Sequence, residues 1–209
     1  TAKFWISAQK IINKNKKFKF FKTHNALGSV NNSKFTDKKN TIGCIYVVRD
    51  PRNVLTSLQN HYEMSQEESL KFMLNENKFI YDHSVKNNYS NFQFISSWEK
   101  NYQSWINQKY FSVITIKYED LINDTFETFK KVIEFIELIT KSQEGYNDKK
   151  AHNSIQSTSF EKMKNMEKKD GFIESILSKK ESKKMPFFHL GPKNDWKNIF
   201  EENYQKKLN

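Results

Sequence analysis

Apolar and polar positions along this chain follow two rhythms. Three short runs are dense in β-branched and aromatic residues and bounded by polar stretches: 18–24 (FKFFKTH), 42–48 (IGCIYVV) and 112–118 (SVITIKY). Runs of this length and make-up predict strands. The second rhythm is helical. Asp50 stands at an N-cap position with Pro51 at the first helical position, and the following NVLTSLQNHYEM carries its apolar residues at helical spacing. Asp124 introduces another such stretch, TFETFKKVIEFIELI, which brings Phe126, Phe129, Val132, Ile133 and Ile136 onto one face. Ser65 opens a helix reaching Asn75, and 92–107, with Trp98 and Trp105, reads as a longer one. The second and third strands each feed a helix, a pattern that predicts an α/β fold on a parallel sheet with right-handed crossovers. Between 140 and 184 the pattern weakens into Lys-rich sequence, read as short helices joined by exposed loops. Five Gly and three Pro punctuate little, and there is no repeat, heptad series or Pro-rich linker, so the 209 residues read as one domain.

Composition narrows the class. Apolar residues make up 36% and aromatics 15%, with 18 Phe, so the chain is too apolar to be disordered and its core is expected to be filled by rings. The one cysteine, Cys44, excludes an internal disulfide and fits a reducing compartment, which makes a cytoplasmic location the expectation. No apolar run approaches the roughly 18 residues of a membrane span, and TAKFWISAQK lacks the apolar centre of a signal peptide. Lys and Arg number 35 against 24 Asp and Glu, and the resulting +11 biases the chain toward anionic partners. Lysine runs at 14–19, 162–169 and 179–184 come without a helix-turn-helix, zinc-finger or RNP-type motif. They read as solvated faces, and specific nucleic-acid binding is not expected. There is no HExxH and no Cys/His set at metal-ligand spacing, so no metal site is expected either.

In open parallel sheets ligands bind outside the carboxyl ends of the strands. The residues at those ends here are polar: Lys22-Thr23-His24, Arg49-Asp50 and Lys117-Tyr118-Glu119-Asp120. All three clusters are expected to face one crevice. Strand alternation puts Phe18, Phe20, Lys22 and His24 on one face that turns from apolar to basic. A histidine at such a mouth, with an ordinary pKa of about 6.5, is suited to take a proton from a hydroxyl near neutral pH; the plainer reading is a surface or capping residue. Arg49 directly precedes a helix start, and Ser57 lies one turn beyond Asn53 on the same face, so a guanidinium and a hydroxyl can share one phosphate. Asp50 as cap occupies the first free amides, which leaves the anion to side chains more than to the helix end. An Arg49–Asp50 surface pair and a simple turn at 118–121 are the plainer alternatives.

Taken in order, these segments resemble the sulfotransferases that use 3′-phosphoadenosine 5′-phosphosulfate, the cytosolic-type family and its bacterial relatives. IYVVRDPRNVLTS resembles the 3′-phosphate-binding segment, which places Arg49 and Ser57 at the nucleotide. FFKTH resembles the family's KTH and implies His24 as catalytic base with Lys22 on the substrate side. KYEDL puts Tyr118 at the nucleotide-contacting tyrosine, and STSFEKM puts Thr158, Phe160 and Met163 beside the adenine. FFHLGPKNDWKN resembles the aromatic, Arg-Lys-Gly, then DWK segment, with His189 and Gly191 at nucleotide-binding positions and Trp196 expected to pack. Phe92, Phe94 and Trp98 are expected in the core ahead of any role in lining an acceptor pocket. The resemblance covers the chain from Phe18 to its C-terminus. It implies a P-loop-NTPase-like three-layer fold with a central parallel sheet flanked by helices, and a single sulfotransferase-like domain over 1–209. The implied reaction moves a sulfuryl group from the phosphosulfate donor to a hydroxyl or amine on a small-molecule, glycan or lipid acceptor, without a metal.

Two departures stand out. A PKSGTTW-like phosphosulfate loop is not among these residues, and the expectation is a chain that starts after that loop and its strand and is a poor catalyst by itself. His189-Leu190-Gly191 stands where the family has Arg-Lys-Gly. Loss of a charge-assisted bond there predicts 3′-phosphate affinity lower by about ten- to hundredfold. The alternatives are a non-catalytic nucleotide- or polyanion-binding domain of the same fold and a kinase relative, the latter lacking its GxxxxGK[ST] loop.

Overall fold

A computed structural model describes residues 1–15, 17–81, 91–178, 181, 183–200 and 205. In chain order its elements are α1 (Trp5–Ile12), β1 (Ser29–Val30), β2 (Ser33–Lys34), β3 (Gly43–Val48), α2 (Pro51–Tyr62), α3 (Gln66–Leu74), β4 (Phe79–Ile80) and β5 (Gln93–Phe94). There follow α4 (Trp98–Ile106), β6 (Ser112–Lys117), α5 (Tyr118–Asn123), α6 (Thr125–Thr140), α7 (Asp148–Ser157), α8 (Phe160–Asp170) and α9 (Trp196–Ile199). β3 and β6 lie side by side as a parallel pair, while β1 with β2 and β4 with β5 form short antiparallel hairpins. The protein is thus α/β, with the expected strands at 42–48 and 112–118 realised as β3 and β6. Among the described residues no helix is long and apolar enough to cross a membrane. The chain divides into two compact units.

The first unit comprises Thr1–Val48, Phe72–Ile116 and Val132–Gly145. Rings fill its interior, as the Phe-rich composition predicts. Trp105 on α4 is 5% exposed and donates its indole N–H to the Asn25 carbonyl at 2.9 Å, so the one polar atom of a large buried ring is satisfied. Phe35, Tyr46 and Phe111 surround it with centroids at 6.3–6.5 Å. Trp5 meets Phe35 edge-on and stacks over Phe92, which also packs on Phe79 at 5.5 Å, and Trp98 stacks on Tyr102. β3 starts with a glycine for a steric reason. A Cβ at Gly43 would lie 2.6 Å from Ile139 Cδ1 on α6, so only hydrogen lets that helix approach the strand end.

Two expectations fail in this unit. Residues 18–24 are not a strand. A strand needs a neighbour to take its backbone hydrogen bonds; here His24 is held by side chains instead, its N–H donating to Gln93 Oε1 at 2.7 Å and its carbonyl accepting from Asn101 Nδ2 at 3.1 Å. Phe18, Phe20 and Phe21 are exposed, Phe20 at 72%. The helix expected over 92–107 begins only at Trp98. Phe94 instead pairs with Phe79 in the β4–β5 hairpin, Ser96 takes a left-handed φ of 59°, and the Ser97 hydroxyl caps α4 by accepting from the Lys100 amide at 3.3 Å. The β1–β2 hairpin, which the pattern did not announce, turns on Asn31 and Asn32 at φ 48° and 62°, the left-handed pair that a two-residue hairpin demands.

The second unit comprises Arg49–Lys71, Lys117–Lys131 and Tyr146–Asn209. α2 begins as expected, with Asp50 accepting from the Arg52 amide at 2.9 Å and Pro51 in the first turn. Leu55 on α2 is 2% exposed. Ser65 and Glu68 exchange side chain-to-amide bonds at 2.7 and 3.2 Å, a capping box that fixes the start of α3. Residues 118–123 form the short helix α5 in place of the simple turn considered above. The weakly patterned region contains α7 and α8. Asp195 caps α9, and Trp196 is 3% exposed beneath the Arg52 guanidinium, 4.3 Å from its ring centroid.

Candidate functional site

The second unit contains all the candidate nucleotide-binding residues. Arg49 follows the last residue of β3 in sequence, and α2 starts two residues later. Asp50 bonds to Arg52 instead, although its carboxylate still feels the Arg49 charge. Its carboxylate is chelated by Arg52, with Nη2 to Oδ2 at 2.7 Å, and those hydrogen bonds hold the Asp50 carboxyl below its ordinary range against the opposing pull of burial. The expected alternative of an Arg49–Asp50 pair is therefore not what the geometry contains. The Asp50 amide donates to Glu119 Oε1 at 3.0 Å, which ties the start of α2 to α5. Two of the three predicted strand-end clusters, Arg49-Asp50 and Tyr118-Glu119, thus meet directly.

Arg49 is held on three sides. Its guanidinium lies 4.3 Å from the Tyr118 ring centroid, and Nη2 donates to the carbonyls of Gly191 and Asn194, each at 3.2 Å. Among the described residues it makes no ion pair, and its Nε–H is buried without an acceptor. A half-buried guanidinium whose hydrogen-bond partners are neutral, and whose charged neighbour Asp50 is engaged by Arg52, can still attract an anion, and an unpaired buried N–H is a donor awaiting an oxygen. Ser57, two turns along α2, is exposed, and its Oγ accepts from Asn194 Nδ2 at 2.9 Å.

The segment that returns to Arg49 is shaped by α8. Gly191 has φ 54°, a left-handed value, and the Phe160 ring sits where a side chain at 191 would be. Phe160, the first residue of α8, also meets Phe188 edge-on at 6.0 Å. Glu167, two turns later, accepts from the amides of Phe187 and Phe188 at 2.7 and 2.9 Å and from the Ser175 hydroxyl at 2.6 Å. Lys164 donates to the His189 carbonyl at 3.3 Å, and the His189 side chain is exposed. Met163 is half-buried on α8. Thr158 closes α7, exposed, with its hydroxyl donating to the Ser154 carbonyl at 2.8 Å.

His24 and Lys22 belong to the first unit, where both are exposed and the backbone of His24 is clasped by Gln93 and Asn101 as described. Sequence reasoning placed Asn53 and Glu119 near the site without a role and missed Asn194 and Glu167; all four position the candidate binding groups. Their types carry little signal: an amide or carboxylate in a polar stretch reads as solvated surface until the fold brings backbone groups to it.

The chain belongs to the sulfotransferase-domain family, whose family model matches residues 6–209. The family's chemistry is sulfuryl transfer, and the fold agrees with that membership. The crystal structure of mouse sulfotransferase SULT7A1 complexed with PAP is similar with a TM-score of 0.52 and 22% sequence identity, over 78% of this chain and 54% of that one. This chain thus spans about half the length of that sulfotransferase. A comparison with curated protein sequences found no match.

Proposed function

We propose that this chain is a single sulfotransferase-like domain that uses 3′-phosphoadenosine 5′-phosphosulfate as donor and a hydroxyl or amine on a small molecule, glycan or lipid as acceptor. The observation that carries the reading is Arg49: a guanidinium stacked on Tyr118 and pinned by two carbonyls, in no ion pair among the described residues, with a buried unpaired Nε–H and an exposed hydroxyl at Ser57 on the helix that follows it. Such a pair suits a phosphate monoester, and the Phe160 and Met163 face of α8 offers an apolar surface to a purine. Thr158, His189 and Gly191 complete the nucleotide contacts in this reading.

On the acceptor side His24 takes the proton of the hydroxyl or amine. The freed lone pair attacks sulfur in line, the bond from sulfur to the 5′-phosphate oxygen breaks, and its electron pair leaves with adenosine 3′,5′-bisphosphate. Lys22 supplies a cation on the substrate side. Most of the acceleration comes from holding the two substrates in line. Calorimetry with adenosine 3′,5′-bisphosphate tests the binding half: micromolar affinity is expected, weakened by about 100-fold in Arg49→Ala through loss of a charge-assisted contact. Transfer of a labelled sulfuryl group to a panel of alcohols and amines tests the chemistry: turnover by this chain is expected to be slow, since a phosphosulfate loop is not among these residues, and His24→Ala is expected to bind nucleotide and turn over none. Absence of any bisphosphate binding by the wild type would sink the reading, and full transfer by His24→Ala would remove that residue as the base.

A further inference from the structure

Asn194 is 6% exposed and uses every polar group it has. Its amide nitrogen donates to the Asn53 carbonyl and to Ser57 Oγ, both at 2.9 Å. Its side-chain oxygen lies 2.7 Å from the Thr56 hydroxyl, whose one proton it shares with the Asn53 carbonyl at 2.8 Å, and its main-chain carbonyl is one of the two that hold Arg49. The Asn53 carbonyl can only accept, so the amide can face it only with nitrogen, and both amide hydrogens are then committed. The consequence falls on Ser57. Its oxygen already receives a hydrogen bond from Asn194, so its own proton points elsewhere and the hydroxyl is left as a donor toward solvent. The same residue therefore sets the direction of the Ser57 hydroxyl through its side chain and the position of the Arg49 guanidinium through its backbone. Its partner Asn53 uses its own side-chain oxygen to accept from the Trp196 amide at 2.8 Å, which locks the 194–196 segment onto α2.

We propose that Asn194 is a positioning residue for 3′-phosphate recognition, which presents Ser57 as a hydrogen-bond donor and Arg49 as a fixed cation to one phosphate monoester. The proposal rests on the nucleotide reading above and goes beyond it by assigning discrimination of the 3′-phosphate to a residue that need not touch the ligand. A general structural role would weaken all nucleotides alike. A positioning role acts on the 3′-phosphate alone.

The test is titration calorimetry of the chain with adenosine 3′,5′-bisphosphate and with adenosine 5′-monophosphate, for wild type, Asn194→Ala, Ser57→Ala and the double variant. The wild type is expected to prefer the bisphosphate by more than about 10-fold. Asn194→Ala is expected to lose about 10-fold in bisphosphate affinity, the size of one charge-assisted hydrogen bond, while its monophosphate affinity stays within about twofold. In the Ser57→Ala background the same change costs less, because the hydroxyl it orients is gone. Thr56→Val keeps the side-chain shape and removes the hydroxyl bound to the amide oxygen. It provides a second, milder variant, expected to lose about two- to fivefold of the preference, and it serves should Asn194→Ala fail to fold. Equal losses for both nucleotides, or an unchanged preference in Asn194→Ala or, where that variant does not fold, in Thr56→Val, overturn the proposal. A wild type that binds neither nucleotide, or binds both alike, overturns the nucleotide reading itself and is thereby distinguishable from failure of the Asn194 assignment alone.

Discussion

Replacing Gly191 by alanine asks whether one absent methyl sets the backbone that holds Arg49. Two costs add. The residue sits at φ 54°, where an L side chain pays roughly 1–2 kcal/mol from the clash of Cβ with its own carbonyl. The new methyl would also lie 2.5 Å from Cδ2 and Cζ of Phe160 and closer still to Cε2, against about 3.5–4.0 Å for carbon atoms in contact. The ring must retreat by over ~1 Å from a position it shares with Phe188, and such overpacking costs about 1–3 kcal/mol. Together Gly191→Ala is expected to destabilise by roughly 2–5 kcal/mol, which in urea, with an m-value of about 2 kcal/mol/M, lowers the midpoint by about 1–2.5 M. Tryptophan fluorescence follows the transition, since Trp196 is buried in the same unit. Phe160→Leu separates the two costs. A smaller side chain leaves room for the methyl, so the double variant should be more stable than the sum of the single effects by at least about 1 kcal/mol, with the backbone cost remaining. A Gly191→Ala chain within about 0.5 kcal/mol of wild type, or strict additivity with Phe160→Leu, would refute the steric argument.

Two further outcomes follow from titratable groups. Burial pulls the Glu167 carboxyl up, but the Ser175 hydroxyl, the Phe187 and Phe188 amides and nearby Lys164 outweigh it and leave it below its ordinary value; a depressed carboxylate contributes stability that is complete above its unfolded value and fades as pH falls through its folded one. Glu167→Gln should therefore flatten the acid limb of the unfolding midpoint below about pH 4.5, and an unchanged acid limb would show that the 187–188 clasp carries no stability. Burial pushes the Cys44 thiol up to about 11, so maleimide labelling at pH 8 should be slower than in the urea-unfolded chain by at least ~100-fold, whereas comparable rates would mean that the thiol is not shielded.

What was legible along the chain was whatever depends on near neighbours. Asp50 with Pro51, Ser65 with Glu68, and Asp195 before Trp196 cap helices because each cap bonds to an amide within three residues. β3 and β6 follow from short apolar runs, and the Arg49 to Ser57 spacing follows from a helix whose start was readable. The failures have one physical cause: the deciding partner lay far along the chain. Residues 18–24 have strand composition, yet a strand exists only with a partner, and Gln93 and Asn101 bind that backbone instead. Residues 92–97 have helical spacing, yet Phe94 gains more from pairing with Phe79.

The candidate site divides in the same way. Sequence by itself determined which groups carry charge and hydroxyl and where they stand on their own elements, because a strand end and a helix face are local geometry. Only the tertiary structure decided that Arg49 is pinned by the carbonyls of Gly191 and Asn194, that Phe160 occupies the place of a side chain at Gly191, and that Asn194, 137 residues beyond Ser57, directs that hydroxyl. Hydrogen bonds act over about 3 Å and take no account of sequence distance, so which polar groups are spent and which remain for a ligand is settled by packing.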